Sequence, residues 1–305
     1  MRIRATSGLR RRVAVWLSAS CLLATAACSS SGGTTPDGGS SSSAVDSSPA
    51  SSSSATGTYL ALGDSVPFGF RGGESAATYS TAANFVGYPE LVGKRLGLRT
   101  VNASCPGETT ASFADAAAQS NGCENTAAGA GGYRTAYPLH VEYDSAGQSQ
   151  LDFAVRTLKN TADVGLVSLQ LGANDAFLCQ ASTTDRCTAE IVQVATTVQA
   201  NLTTILSTLR DQGGYHGKVV VVSYYALDYA DATGVAGTRV LDAAIAGAAT
   251  ATGATVASGY DAFQPLAQQS GGSSMAAGLV LPGDVHPTAL GQQLLADAVA
   301  AAAGG

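Results

Sequence analysis

Basic side chains are scarce in this chain beyond its first 12 residues. Of the 16 Lys and Arg residues, five are arginines at positions 2, 4, 10, 11 and 12, which leaves 11 basic against 22 acidic side chains. Binding to a nucleic-acid backbone requires clustered basic residues. The shortage therefore argues against nucleic acid as a partner.

Long apolar runs are also missing after residue 27, where none approaches the ~20 residues of a membrane span. The one long apolar stretch, Val13–Ala27, follows the basic N-terminus and predicts a signal peptide over 1–27. Small residues before Cys28 resemble a lipoprotein signal, in which this cysteine is lipidated; ordinary cleavage with unmodified Cys28 is the alternative. The arginines at 10–12 also allow twin-arginine export. We expect an exported, extracellular or cell-envelope protein whose only membrane contact is a lipid anchor at Cys28.

Residues 28–57 contain too few large apolar side chains to build a core. The segment is nearly all Ser, Gly, Thr, Ala, Asp and Pro, a composition that predicts a disordered tether. Residues 58–305 show no further break in composition and no repeat. Their length predicts one domain with a single large core.

Cysteine pairs of the zinc-binding C-x-x-C type are absent, and no histidine lies near the cysteines in sequence. Cys105, Cys123, Cys179 and Cys187 remain after the signal and the anchor. Four cysteines in an exported domain predict two disulfides with three possible pairings. Local pairing, Cys105 with Cys123 and Cys179 with Cys187, is the economical choice.

Apolar runs that alternate with helical patterns predict the fold class. The strand-like runs are Tyr59–Leu62, Leu98–Ala103, Val164–Leu171, Val219–Ser223 and Ala254–Ala257. The helical patterns are Phe85–Leu96, Leu151–Leu158, Thr188–Leu209, Thr238–Ala251 and Thr288–Ala302. Continuous apolar strands are typical of a parallel sheet that is covered on both faces. We therefore predict an α/β protein, a doubly wound three-layer α/β/α sandwich.

Four short polar blocks lie where predicted strands end or in the last loop. They are Gly63–Ser65, residues 102–110, Gly172–Asp175 and residues 283–287. The carboxyl ends of parallel strands meet at one edge of a sheet, where ligands bind. The blocks are therefore expected to meet at a single site.

Ser65 is the candidate nucleophile, and a serine hydroxyl needs a base to take its proton. Only three histidines are present. His216 precedes the fourth strand at the opposite edge of the sheet, and His140 lies in an irregular stretch. His286 lies in the last loop on the correct side, which makes it the candidate base.

Acyl transfer also needs hydrogen-bond donors for the oxyanion of the tetrahedral intermediate. The backbone N–H groups of Ser65 and Gly107 and the side-chain amide of Asn174 are the candidates. Asp64 and Asp175 are more simply explained as helix-capping residues.

The four blocks together resemble those of the GDSL or SGNH hydrolases, over about residues 58–300. The resemblance implies a five-stranded parallel sheet of flavodoxin-like order, with Ser65 as nucleophile, His286 as base and oxyanion donors at Ser65, Gly107 and Asn174. It also implies activity on esters without a metal or organic cofactor. Cys105 inside the second block and the 179–187 loop are similar to the secreted bacterial lipase and esterase branch.

One departure concerns the acid of the catalytic triad, which the family places three residues before the histidine. Here position 283 is Gly, and Asp284 lies two residues before His286. Two alternatives remain open. Either the loop bends so that Asp284 reaches the ring, or a backbone carbonyl near Pro282–Gly283 orients it and the enzyme uses a Ser–His dyad.

We therefore expect a secreted, monomeric serine ester hydrolase that acts on small-molecule or lipid esters through an acyl-enzyme on Ser65. Activity should rise with pH through roughly 6–7 as His286 becomes neutral. A carbohydrate acetyl esterase acting on envelope or extracellular glycans is the second hypothesis. A non-catalytic envelope-binding lipoprotein is the third, and the G-x-S-x-G hydrolases are excluded because no such pentapeptide occurs.

Overall fold

The computed structural model of the 305-residue chain describes residues 56–126 and 128–304. The predicted signal peptide, Cys28 and all but the last two residues of the predicted tether lie outside the described residues. Those two, Thr56 and Gly57, belong to the fold. The Thr56 N–H donates to the carbonyl of Gly97, and the Gly57 carbonyl accepts from the N–H of Arg99.

Five parallel strands form one sheet at the centre of the domain. They are β1 (Thr58–Gly63), β2 (Arg99–Asn102), β3 (Val164–Gln170), β4 (Lys218–Val222) and β5 (Thr255–Ala257). The spatial order is β2-β1-β3-β4-β5, and every pair is parallel. This is the flavodoxin-like order, and it confirms the predicted fold class.

The strands lie at the predicted positions, with ends that differ by at most one residue. Every residue of β1 is buried, and so is most of β3 and β4. Successive side chains of a strand point to opposite faces of the sheet. A strand in which every side chain is buried must therefore be covered on both faces. The continuous apolar runs in the sequence have this cause.

Helices cover both faces of the sheet and complete the three layers. The described residues contain α1 (Ser65–Phe68), α2 (Ala76–Tyr79), α3 (Tyr88–Leu96), α4 (Thr110–Ala114), α5 (Tyr133–Ala136), α6 (Gln150–Asn160), α7 (Ala173–Ser182), α8 (Ile191–Asp211), α9 (Ala232–Ala251), α10 (Gly259–Gln269) and α11 (Ala289–Gly304). One group packs α3 and α10 on α11, and the other packs α6, α7 and α9 on α8. No helix of the described segments is long and apolar enough to cross a membrane.

Several helices differ from the prediction: α8 begins three residues later than predicted and α7 has no predicted counterpart. Three further differences have physical reasons. Helix α3 begins three residues later than predicted, because Val86 is exposed and Gly87 is the N-cap. Helix α9 begins six residues earlier, where Asp231 accepts from the Thr233 N–H as N-cap. Helix α10 was not predicted, because it contains Pro265, a residue that normally interrupts a helix.

Both disulfides join cysteines that are close in sequence. Cys105 is bonded to Cys123, and Cys179 is bonded to Cys187. This is the local pairing that the sequence analysis favours. The first disulfide holds the loop after residue 120 against the segment that follows β2.

The backbone geometry at the end of β1 requires a glycine at position 63. Gly63 has a φ of 139°, and a Cβ there would lie 2.3 Å from the carbonyl oxygen of Gln170. We expect Gly63→Ala to lower the free energy of unfolding by about 2–5 kcal/mol, since backbone strain adds to overpacking. Urea unfolding followed by circular dichroism measures this loss.

Gly97→Ala is the matched control for this prediction. Gly97 has a φ of 66°, and a Cβ there meets nothing within 4 Å. Its loss should be only about 1–2 kcal/mol, from backbone strain alone. Equal losses in the two variants would contradict the steric role of the Gln170 carbonyl.

Candidate active site

Ser65 lies at the turn between β1 and α1. Gly63 ends the strand, and the Asp64 side chain caps α1 by accepting from the Val66 N–H at 2.9 Å. Ser65 is then the first residue of the helix, and it is partly exposed. The interpretation of Asp64 as a capping residue is confirmed.

Buried hydrogen bonds fix this turn. Gln150 bonds both sides of Gly63, with Oε1 accepting from its N–H at 2.6 Å and Nε2 donating to its carbonyl at 3.0 Å. The Tyr224 hydroxyl donates to the Asp64 carboxylate. Burial raises the pKa of Asp64 to about 7, and the hydrogen bonds from Tyr224 and the Val66 N–H oppose the rise.

The loop before α11 settles which group faces the base. The Asp284 N–H donates to the Leu281 carbonyl at 3.1 Å, and Gly283 has a φ of 70°. Proline followed by such a glycine is the pattern of a type II turn. The turn directs Asp284 towards the histidine, and His286 Nδ1 lies 2.6 Å from Asp284 Oδ1. The aspartate, rather than a backbone carbonyl near Pro282, therefore faces the ring.

Two opposing effects set the pKa of His286. Burial lowers the pKa, whereas the negative charge of Asp284 and its hydrogen bond raise it, and the net direction is downward. Burial alone would raise the pKa of Asp284, but His286 and the N–H groups of Gly72 and Val285 lower it overall. The ring is therefore neutral at neutral pH, as a general base must be.

Adjacent tyrosines after β4 bring the serine turn and the histidine loop to the same end of the sheet. Tyr224 bonds Asp64, and the Tyr225 hydroxyl donates to the Val285 carbonyl at 2.7 Å. No direct hydrogen bond joins Ser65 and His286 within the described chain. Such catalytic hydrogen bonds often tighten only when substrate is bound.

Asn174 lies at the start of α7, directly after β3, and is 5% exposed. Its Nδ2 donates to the Glu108 carbonyl at 3.0 Å, and its Oδ1 accepts from Asn121 Nδ2 at 2.8 Å. The second N–H of the Asn174 side-chain amide can donate a hydrogen bond to a ligand. The amide is thus held at both ends.

Gly107 lies beside Asn174 in the turn after Pro106. It has a φ of 88°, and a Cβ there would lie 2.6 Å from the carbonyl oxygen of Asn121. Only glycine fits this close approach without strain. The described residues supply no acceptor for its N–H, which leaves this group available as a donor.

Beneath this turn lies a buried carboxyl group that sequence reasoning missed. Glu108 is fully buried and accepts from Gln150 Nε2 at 3.0 Å and from the Ser112 hydroxyl at 2.5 Å. Burial, together with the nearby Glu124, raises its pKa well above the usual value. Arg134 forms a buried ion pair with Glu124 at 3.0 Å.

Aromatic rings pack against the histidine side of the site. Phe70 meets the His286 ring edge-on, with centroids 4.9 Å apart. Phe70 also contacts Tyr79, Phe85 and Tyr133. We call these four residues the aromatic cluster, which contacts His286 through Phe70.

The remaining histidines and Asp175 lie elsewhere. His216 is exposed. His140 contacts the Phe68 carbonyl through Nε2 at 3.1 Å. Asp175 is inside α7, and it accepts from the N–H and hydroxyl of Thr110 at the start of α4. It therefore caps α4 rather than its own helix, whose N-cap is Gly172.

Two clusters in the described chain combine cysteine and glutamate at metal-ligand spacing. They are Cys105, Glu108 and Cys123, and Cys179, Cys187 and Glu190. The cysteines of each cluster form a disulfide. A cysteine binds a metal ion as a thiolate, and a disulfide has none. Each oxidised cluster therefore offers only its one glutamate carboxylate.

Comparison with known proteins agrees with this geometry. Residues 61–294 match the GDSL-like Lipase/Acylhydrolase family. No curated protein sequence matches the chain.

Solved structures of low sequence identity share the fold. An extracellular lipase from Streptomyces rimosus is 20% identical, with a TM-score of 0.54 over 81% of this chain and 99% of that one. A phospholipase A1 from Streptomyces albidoflavus is 19% identical, with a TM-score of 0.54 over 81% and 100%. An acetylxylan esterase from Geobacillus stearothermophilus is 16% identical, with a TM-score of 0.51 over 82% and 97%.

The fold and the family match define the class of the protein. The chain belongs to the GDSL-like Lipase/Acylhydrolase family. It is a carboxylic ester hydrolase of the GDSL or SGNH class.

The Asp284–His286 hydrogen bond predicts a pH effect. Because the carboxylate stabilises the protonated ring, Asp284→Asn should lower the pKa of His286 further and move the acid limb of the kcat/KM profile to lower pH. Loss of tautomer control should also reduce kcat by about 10³–10⁴-fold. Ester hydrolysis between pH 4 and 9 measures both effects.

Asp297→Asn is the control, because Asp297 pairs with Arg95 at an exposed position on α11. It removes the same charge and should leave the profile unchanged. If the acid limb of Asp284→Asn stays at the wild-type pH or moves to higher pH, the role assigned to this carboxylate is refuted.

Proposed function

We propose that this protein is a secreted serine ester hydrolase that forms an acyl-enzyme on Ser65. The single observation that carries the proposal is the 2.6 Å hydrogen bond between Asp284 and His286, in a loop tied to the same end of the sheet as Ser65. A buried, oriented and neutral imidazole there has the properties of a general base.

The reaction proceeds in two balanced halves. Ser65 Oγ attacks the ester carbonyl carbon while His286 Nε2 takes its proton and Nδ1–H donates to Asp284. The oxyanion receives hydrogen bonds from the N–H groups of Ser65 and Gly107 and from Asn174 Nδ2. His286 then protonates the departing alcohol.

Water completes the cycle in the second half. His286 takes a proton from water, whose oxygen attacks the acyl-enzyme carbonyl. The ester bond to Ser65 breaks, the serine oxygen regains its proton from His286, and the carboxylic acid leaves.

Labelling by a fluorophosphonate tests the nucleophile. We expect the full-length wild type to be labelled and Ser65→Ala and His286→Ala to remain unlabelled, because the probe reacts only with an activated serine. Ser182→Ala, which changes an exposed serine at the end of α7, is the control and should be labelled like wild type. Labelling that persists in Ser65→Ala would refute the proposal.

The aromatic cluster favours an apolar ester over an acetylated glycan. A medium-length acyl chain or apolar alcohol placed beside His286 gains roughly 0.8 kcal/mol for each CH₂ that it buries. The proposed substrates are therefore lipid or other apolar esters. Acetyl-esterase activity on glycans is the alternative.

Phe70→Ala tests this preference with p-nitrophenyl esters of graded chain length. Removal of the ring should lower kcat/KM for the octanoate about 5- to 20-fold more than for the acetate, since only the longer chain loses apolar contact. Acetate is the internal control for any effect on His286 itself. A wild type that cleaves the acetate alone, or an octanoate-to-acetate ratio that is unchanged in the variant, would favour the acetyl esterase.

Export, lipid attachment at Cys28 and a monomeric state are further parts of the proposal. Export and lipid attachment are supported by the basic and apolar pattern of residues 1–27, the small residues before Cys28 and the Ser/Gly-rich segment that follows. The fluorophosphonate label gives a direct check in the producing cell. Labelled wild type should sediment with membranes, and labelled Cys28→Ala should not.

A further inference from the structure

Asn121 contacts both non-nucleophile oxyanion donors of the proposed site. Its side-chain Nδ2 donates to Asn174 Oδ1 at 2.8 Å. Its backbone N–H donates to the Gly107 carbonyl at 2.7 Å. Asn121 thus connects the segment that follows β2 with the segment that follows β3.

The Asn174 amide has one orientation that satisfies its neighbours. The Glu108 carbonyl can only accept a hydrogen bond, so Nδ2 of Asn174 must face it. Oδ1 then faces Asn121, whose Nδ2 is a donor. If the amide turned by 180°, two oxygens would meet at Glu108, and the spare N–H would no longer face the oxyanion.

The loop around Asn121 is itself anchored. Cys123, two residues later, is disulfide-bonded to Cys105 next to the Gly107 turn. The buried Ser120 hydroxyl accepts from the Cys123 N–H at 3.1 Å and donates to the Asn125 carbonyl at 2.7 Å. These contacts hold the Asn121 backbone so close to Gly107 that a Cβ on Gly107 would clash with the Asn121 carbonyl oxygen.

We propose that Asn121 is a positioning residue that holds Asn174 and Gly107 in the geometry that the oxyanion requires, an inference that rests on the function proposed above. Asn121 acts through these donors and not on the substrate. Because the oxyanion exists only in the transition state and intermediate, the contribution falls on kcat rather than on KM.

Two substitutions test the side-chain contact in the full-length protein. Asn121→Asp keeps the shape and replaces the donor by an acceptor, whereas Asn121→Ala removes the side chain without adding charge. We expect each to lower kcat about 10- to 100-fold with little change in KM, less than the 10²–10³-fold cost of losing a donor outright. Steady-state hydrolysis of a p-nitrophenyl ester measures both constants.

A double-mutant cycle with Asn174→Ala separates positioning from a general structural role. If Asn121 acts through the Asn174 amide, Asn121→Ala should cost no more than about 3-fold in kcat once that amide is gone. Asn125→Ala is the matched control, since Asn125 bonds Ala118 and Ser120 in the same loop and contacts neither donor. It should keep the wild-type kcat.

Three results would overturn the inference. They are wild-type kcat in both Asn121 variants, full additivity with Asn174→Ala, and unfolding of both Asn121 variants while Asn125→Ala stays folded, since the residue would then be structural. Failure of the proposed function itself has a different signature. In that case Ser65→Ala would retain activity, whatever the Asn121 variants do.

Discussion

The close contact between Gly63 and the strand beside it is the constraint on which the site depends. The Gly63 carbonyl accepts from the Cys105 N–H at 3.0 Å and from Gln150, and its N–H donates to Gln150. Gln150 in turn donates to the buried carboxyl group of Glu108. One glycine therefore connects the serine turn, the segment after β2 and helix α6. A side chain at this position would separate the proposed nucleophile from the proposed oxyanion donors.

The site has two sides that are built by different means. On the side of the proposed oxyanion donors, short-range geometry is set by a disulfide, a glycine turn and amide hydrogen bonds between Asn121, Asn174 and Glu108. On the histidine side, a turn carries Asp284 and His286, and Tyr225 holds it to the sheet. The first side must stay rigid because preorganised donors give most of the stabilisation.

The sequence predicted the sheet, and it supplied the candidate site residues, because both follow from local patterns. Apolar runs located all five strands, and Ser65 and His286 followed from strand ends and the small number of histidines. The sequence leaves open whether Asp284 reaches His286, because the family places its aspartate three residues before the histidine and Asp284 lies only two before it. Pro282 and Gly283 are the signal that settles it, since they predict a turn. Contacts such as Asn121–Asn174 and Tyr224–Asp64 join positions far apart in sequence and leave no local pattern.

Burial and the nearby carboxylate act on His286 in opposite directions, and their balance determines what the ring can do. Burial is the larger effect and keeps the ring neutral. If burial acted alone, the protonated ring would be unstable and proton transfer from Ser65 would be costly. Asp284 reduces this cost, and its own pKa is lowered by His286 and by the hydrogen bond from the Gly72 N–H at 3.0 Å. The loop before α2 therefore supports the proposed role of His286 as the base.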